Sequence, residues 1–424
     1  MKKRILLGLL ALTPALWLSG CGGSDDATVR LINASAGYSS LDMYSSDDKV
    51  LSSVNFATVS DYTDIAKGTV TTSLTNAGSS TYLLSESRTL SANTSYTIIA
   101  YGWEGNLKSV IASDDVAEAD DNKTKVSVFN TATDAGNLDV YLTAESDALS
   151  ASTPVTSSIS GGSQSSYTSV TSGTYRLRVT AADDKTDVRL DISGVVLASK
   201  GVDTIVLTPT TGGVLVNGIQ VVQGSAVTKL LNTKARVRAV AAVANKATVT
   251  LSAGDTSVIS SAPSPTLGAY TLVEAGSVTV AGAVNGTALN NSTLDLTAGS
   301  DMTLLVNGEV SAPTVTTISD DNRLPTNSSK LKMRLVNATN GMSSYPLTLT
   351  VDYTALASSV AQATASSYNS SQGASTTATL EVTSSLSSTA LYSLTDLTLS
   401  AQSVYSVFLF GDSTSASGLL RKER

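Results

Sequence analysis

After its first twenty residues the chain alternates apolar and polar positions on a period of two. Val70, Thr72 and Leu74 oppose Thr69, Thr71 and Ser73, and Tyr175, Leu177 and Val179 oppose Arg176, Arg178 and Thr180. This is the pattern of half-buried β-strands, and no helical period follows the leader. Three landmarks recur in a fixed order. The first is an opening strand with a turn: VRLINAS from Val29, VSVFNTA from Val126, VRAVAAV from Val237 and MRLVNAT from Met333. The second is a tyrosine followed by a strand-opening glycine: Tyr62/Gly68, Tyr167/Gly173, Tyr270/Gly276 and Tyr368/Gly373. The third is a leucine-led strand from Leu90, Leu197, Leu296 and Leu399. The period is about 100 residues, the size of a domain.

The pattern predicts an all-β chain of four modules, over 28–122, 123–228, 229–325 and 326–424. About seven short strands in each suit a β-sandwich of immunoglobulin-like architecture. Polar stretches divide them: Ser113 to Asn122, Gln223 to Asn232, and Ser319 to Ser329. These linkers are short, so a semi-rigid array is expected.

The leader breaks the pattern. Lys2, Lys3 and Arg4 precede an apolar run from Ile5 to Leu18, the layout of a secretory signal peptide over 1–20. Leu18-Ser19-Gly20-Cys21 resembles the bacterial lipobox. That resemblance implies that Cys21, the only cysteine, carries the lipid at the head of a short tether, 21–27. Gly22 after the cysteine implies the outer membrane if the host is Gram-negative. Stable anchoring needs two acyl chains, or one and a basic patch, and a triacylated cysteine meets that requirement alone. The chain has 27 basic and 35 acidic residues, and loss of the leader makes it more acidic. An acidic body is repelled by anionic lipid and by nucleic acid. The membrane, through the lipid, is therefore the expected partner, with envelope proteins or glycans beside it and no nucleic acid.

VRLINAS, the following Leu41-Asp42-Met43-Tyr44 and SYTIIAYG together resemble the bacterial domain-of-unknown-function family numbered 4397, which occurs in tandem in secreted and lipid-anchored proteins. The likeness is strongest in the first module, present at the starts of the second and fourth, and weakest in the third, where the asparagine of VRLIN is missing. In that family an Asp-Asp pair commonly ends a copy, as Asp114-Asp115 and Asp320-Asp321 do here. The resemblance implies a fold and a location but no catalytic residues.

Catalytic chemistry finds little material. The chain has no histidine, which removes triads and histidine acid–base catalysis. Ser46-Asp47-Asp48-Lys49 fits S-x-x-K, but serine is so abundant that chance explains the match. Asp114, Asp115, Glu118, Asp120 and Asp121 gather carboxylates that could hold calcium, as could Asp183, Asp184 and Asp187. Neither set has calcium-loop spacing, and a solvated linker is the simpler reading. Trp103, with Tyr101 and Tyr38, is the candidate aromatic platform for a sugar, although packing is the simpler role for Trp103. The recurrent tyrosines are expected to be core or corner residues bonded to backbone. The expectation is a non-catalytic, cofactor-free, lipid-anchored envelope protein for display or adhesion. Glycan binding is the alternative, and an enzyme the third and disfavoured reading.

Overall fold

The computed structural model describes residues 25–424; the signal peptide, the lipobox and Cys21 lie outside the described residues. The alternating segments form eight sheets, two from each of four successive modules. In the first module one sheet has the order Thr63–Ile65, Ala27–Asn33, Ser95–Tyr101, Lys108–Ser113. Its central pair is parallel, with Leu31 opposite Ile98, and its other pairs are antiparallel. Parallel neighbours need a long crossover, and here the whole second sheet supplies it. That sheet runs Asp48–Asn55, Ser40–Ser45, Gly68–Asn76, Tyr82–Leu90, antiparallel throughout. The module thus has eight strands rather than seven.

The same order recurs in the fourth module around Lys332–Thr339 and Val404–Gly411, which are again parallel. The second module adds a strand, Val227–Leu230, paired with Val216–Val222. It lies in a stretch expected to be linker, so this module extends past residue 228.

The opening strands are buried on both faces. In Ala27–Asn33, Ala27, Val29 and Leu31 meet Leu41, Met43 and Leu74 inside the sandwich. Ile32 points the other way and packs, with Ile99 and Tyr101, on Phe129, Val206 and Ile219 of the second module. The third and fourth modules repeat the contact: Val240, Ala242 and Leu305 pack on Val336, Phe408 and Phe410. The chain is therefore two face-to-face pairs of modules rather than a row joined by linkers. Two-sided burial explains why VRLIN and its copies read as nearly continuous apolar runs.

The asparagine of that motif is a staple between sheets. Asn33 Nδ2 donates to the carbonyls of Tyr38 and Val54, and its Oδ1 accepts from Ser35 N at 3.0 Å. Asn130 and Asn337 make the equivalent contacts. The third module has Ala241 at this place, and Ser264 Oγ accepts the matching Val243 N–H at 3.1 Å. Asp42 has a similar local task. It accepts from Ser53 N at 2.8 Å, where Ser53 adopts φ 54° in a bulge of the neighbouring strand. Asp139 does the same for Ser158.

Candidate functional site

Beside each apolar contact between paired modules runs a polar seam built from four recurring positions. An arginine of the opening strand lies over the recurrent tyrosine. Arg30 is 4.9 Å from the Tyr62 ring centre, Arg238 4.5 Å from Tyr270, and Arg334 4.6 Å from Tyr368. Each Nε donates to a hydroxyl on the parallel partner strand: Thr97 at 2.8 Å, Thr303 at 2.8 Å and Ser406 at 3.2 Å. An acid stands at the end of the last strand, as Asp114, Asp320 and Glu423. Tyr62 Oη donates to Asp114 at 2.5 Å, and Tyr270 Oη to Asp320 at 2.6 Å. These two tyrosines therefore bond carboxylates rather than backbone. The second module keeps Tyr167 and Thr204 but has Ser127 and Gln223 where the others carry arginine and acid.

In the second pair the charges are exchanged between modules. Arg238 makes a bidentate contact to Glu423, at 2.9 and 2.8 Å. Arg334 returns it to Asp320 and also donates to the Ser319 carbonyl at 3.0 Å. Each module thus gives its arginine to the other's acid, the reciprocity of an isologous interface within one chain. All four side chains are at most 3% exposed, so neither charge has water as a substitute partner. Burial alone would raise the Asp320 carboxyl, but Arg334 and Arg238 beside it hold it below the usual range. Burial, with the Asp320 charge adding to it, pushes the Tyr270 hydroxyl well up.

The first pair solves the same geometry differently. Arg30 Nε lies 3.7 Å from Asp114 of its own module, and Nη1 and Nη2 reach the carbonyls of Ser225 and Val222. Gln223 is a neutral connector, exchanging bonds of 2.9 and 3.2 Å with the backbone of Val116. Burial and Asp114 raise the Tyr62 hydroxyl to about 12.

All four modules meet at a hub. Trp103 Nε1 of the first module donates to Asp134 of the second at 2.6 Å. Arg424, from the fourth, donates to the carbonyls of Asp134 and Gly213. Burial, then the nearby Arg189 and Arg236, lower its guanidinium to about 10. Arg323 lies 4.8 Å over the Trp103 ring and pairs with Asp321 at 2.7 Å, which also takes Lys332 at 3.1 Å. Gly213 fits there only without a side chain, since a Cβ would stand 2.5 Å from Arg323 N.

The predicted platform is not assembled. Tyr38 is buried in the first sandwich core with its hydroxyl accepting from Gly105 N, and Tyr101 is buried at the interface against Phe129. Only Trp103 remains half-buried at the loop end. The predicted calcium carboxylates also stay apart. Asp114 turns into the seam, Asp115 accepts from Ser113, and Asp121 pairs with Lys200, while Glu118 and Asp120 are exposed. Asp183, Asp184 and Asp187 are likewise divided, with Asp187 held by Arg189. Among the described residues no three such ligands converge on a metal position. Lys49 pairs with Asp42 at 2.6 Å, so Ser46 does not acquire it as a base.

The signal for the seam was present in the chain. Arginine, tyrosine and acid recur at matched places in modules one, three and four, and arginine and acid are lost together in module two.

One solved structure with a detectable likeness is titled as a "putative cell adhesion protein" from Bacteroides ovatus. It is 14% identical, covers 48% of this chain and 98% of its own, and has a TM-score of 0.19, too slight to bear on fold or function. No curated protein matches the chain. The family model described as a domain of unknown function (DUF4397) matches residues 27–141 and 235–344. Each match runs through one module and into the opening of the next, and the second shows that the third module, despite Ala241, carries the family pattern. With more than half its length matched, the chain belongs to the DUF4397 domain family, in tandem copies.

Proposed function

We propose that this chain is a non-catalytic, lipid-anchored protein of the bacterial cell envelope, a tandem β-sandwich unit for display, adhesion or envelope contact. The observation that carries the reading is the use made of its buried charge. The arginines and acids that cross between the third and fourth modules are occupied in joining them, and Arg30 of the first reaches the backbone of the second, which leaves no free nucleophile–base or carboxylate pair in the seams. A chain without histidine whose polar clusters are structural fits a presenting role better than a catalytic one. The lipid on Cys21 supplies the membrane contact, and the acidic body keeps the modules off anionic headgroups and nucleic acid.

The test is Cys21→Ser in the native host. Loss of palmitate labelling and of membrane retention, with unchanged thermal unfolding, is expected; a variant that still sediments with membranes overturns the anchor. Protease shaving of intact cells then separates surface from periplasmic display.

A further inference from the structure

We infer that the outer edge of Ala312–Asp320 is a docking site for an extended segment of another polypeptide, which joins it as an antiparallel strand and sends one apolar side chain into a cavity over Ala365. This rests on the envelope-contact reading and names the class of partner. Ala312–Asp320 ends its sheet in the third module, and among the described residues no strand pairs with its outer side. An edge strand presents unpaired N–H and C=O groups, and proteins ordinarily guard it with charge, proline, bulges or a covering element. The counterparts in the other modules are guarded. Lys108–Ser113 opens on a lysine, Ser417–Lys422 ends in Arg421 and Lys422, and Val216–Val222 is covered by Val227–Leu230. Ala312–Asp320 has no charge before Asp320, proline only at its second position, and an unbroken register along its whole length.

The second observation is the space beside that edge. The residue paired with Ile32, Phe129, Val240 and Val336 of the opening strands is Val59, Gln164, Leu267 and Ala365 in turn. In the first seam Gln164 shares a cleft with Val110 and Ala112 of the edge strand, and about 40 Å³ remains. In the second, Ala365 shares one with Thr316 and Ile318, and the cavity holds about 490 Å³. Its floor continues the apolar contact between modules, through Ile318, Ala363 and Ala365. Charge there is taken, since Arg334 holds Asp320 and Arg236 holds Asp301. The space therefore suits an apolar side chain, such as the third module supplies for itself with Leu267. The chain also shows how a strand fills such a place. In the second module Val227 of the covering strand lies opposite Val221 and packs on the apolar contact of the first pair. Val221 pairs with Thr204 as Ile318 pairs with Thr303. A strand added to Ala312–Asp320 in the same register thus brings its side chain at the place of Val227 to the cavity. In such an addition main-chain bonds supply affinity, and pockets for alternate side chains supply selectivity. The cavity has the edge on one side and residues 363–367 of the fourth module on the other, which suits a single strand better than the edge of a second folded copy.

The experiment titrates the detergent-solubilised full chain into fluorescein-labelled peptides with the sequence of residues 225–232, the chain's own covering strand, carrying valine, leucine or phenylalanine at the place of Val227. A saturable rise in anisotropy, half-complete below about 1 mM, is expected for at least one of them. Alternate residues of a strand bond its neighbour, so methylation of two successive peptide nitrogens, at the places of Val227 and Thr228, removes a main-chain bond in either register. That peptide is expected not to bind. Ala365→Leu gives the fourth module the residue of the third and fills the cavity. Binding weaker by about tenfold or more is expected, with the unfolding midpoint not lowered. Should that variant unfold, the methylated peptide still decides. No binding of any of the three peptides, equal binding of the methylated one, or undiminished binding to Ala365→Leu overturns the site. A dimer in sedimentation that the peptides fail to dissociate assigns the edge to a second copy and overturns it as well. Membrane retention through Cys21 is read separately, so failure here leaves the anchored-display reading standing.

Discussion

The two pairs of modules use one interface design with opposite electrostatics. In the second pair both modules keep arginine and acid, and two buried ion pairs cross the interface. In the first pair module two has Ser127 and Gln223, and the charges of module one, Arg30 and Asp114, turn to each other and to backbone carbonyls. The apolar halves differ less. Tyr101 meets Phe129 edge-to-face at 5.3 Å, and Phe408 stacks beside Phe410 at 6.1 Å. The difference follows from the cost of burying charge. Removing one member of a buried pair strands the other and costs about 3–5 kcal/mol, whereas replacing both is often nearly neutral. Module two lacks both members, and the interface persists.

The largest expected effect comes from breaking the second pair on one side. Asp320→Ala removes the acceptor for Arg334, Tyr270 and Thr303 at once. A loss of about 3–5 kcal/mol is expected from denaturant unfolding. Asp114→Ala in the first pair removes bonds from Tyr62 and Thr97 beside a still-satisfied Arg30, and about 1–2 kcal/mol is expected. Equal losses would mean that the two seams are energetically alike.

Next in size is the conversion of the second pair into the first. Arg334→Ser with Glu423→Gln gives module four the residues of module two. Each single change strands a partner, but Asp320 and Arg238 then remain as a pair within module three, already 3.8 Å apart. The double variant is expected to lose less than the sum of the singles, with a coupling of about 1–3 kcal/mol. Additive losses would show that Arg334 and Glu423 act independently.

Acidity separates the pairs without mutation. Asp320 is held below the ordinary aspartate value of about 3.9. A depressed carboxyl stabilises the fold fully above its unfolded pKa, and that contribution disappears as pH falls through the lower folded value. Amide exchange in Val404–Gly411 should therefore accelerate below about pH 4. The alkaline limb runs the other way. Tyr62, raised to about 12, favours the fold below its unfolded value of ~10 and loses that contribution as pH rises between the two. Exchange in Ser95–Tyr101 should report it. Acid-insensitive exchange in Val404–Gly411 would count against Asp320 as the clamp.

Much of this was legible in the chain, and what was not has a common cause. The period-two pattern, the four opening strands and the recurrent tyrosines mark local structure, which alternation and turn residues encode directly. The staple role of Asn33 is also local, because its partners Ser35 and Tyr38 are near in sequence. The interface is different. Arg238 and Glu423 are 185 residues apart, and no spacing rule joins them. Asp114-Asp115 and Asp320-Asp321 read as solvated acidic linkers, yet the first member of each pair turns inward as a counter-ion. Trp103 reads as a packing residue more readily than as a platform, but its partners could not be named for the same reason: Asp134 and Arg323 lie in other modules.

The smallest expected effect is also the most direct check on the comparison. Ser127→Arg with Gln223→Glu restores to module two what the other modules carry. The new glutamate would meet Arg30, whose Nη atoms already reach Val222 and Ser225 on either side of position 223. The new arginine would meet Tyr167 and Asp114, which line one cleft. Lost are the two Gln223 bonds to Val116, each worth about 1 kcal/mol. Exchange of a neutral pair for a complementary charged pair is expected to be neutral within about 2 kcal/mol, as for other buried pairs. Ser127→Arg alone should lose more, since it adds a buried charge where Asp114 already serves Arg30. If the double variant is no better than that single change, the two seams are not the same interface, and the likeness of their residues has no energetic meaning.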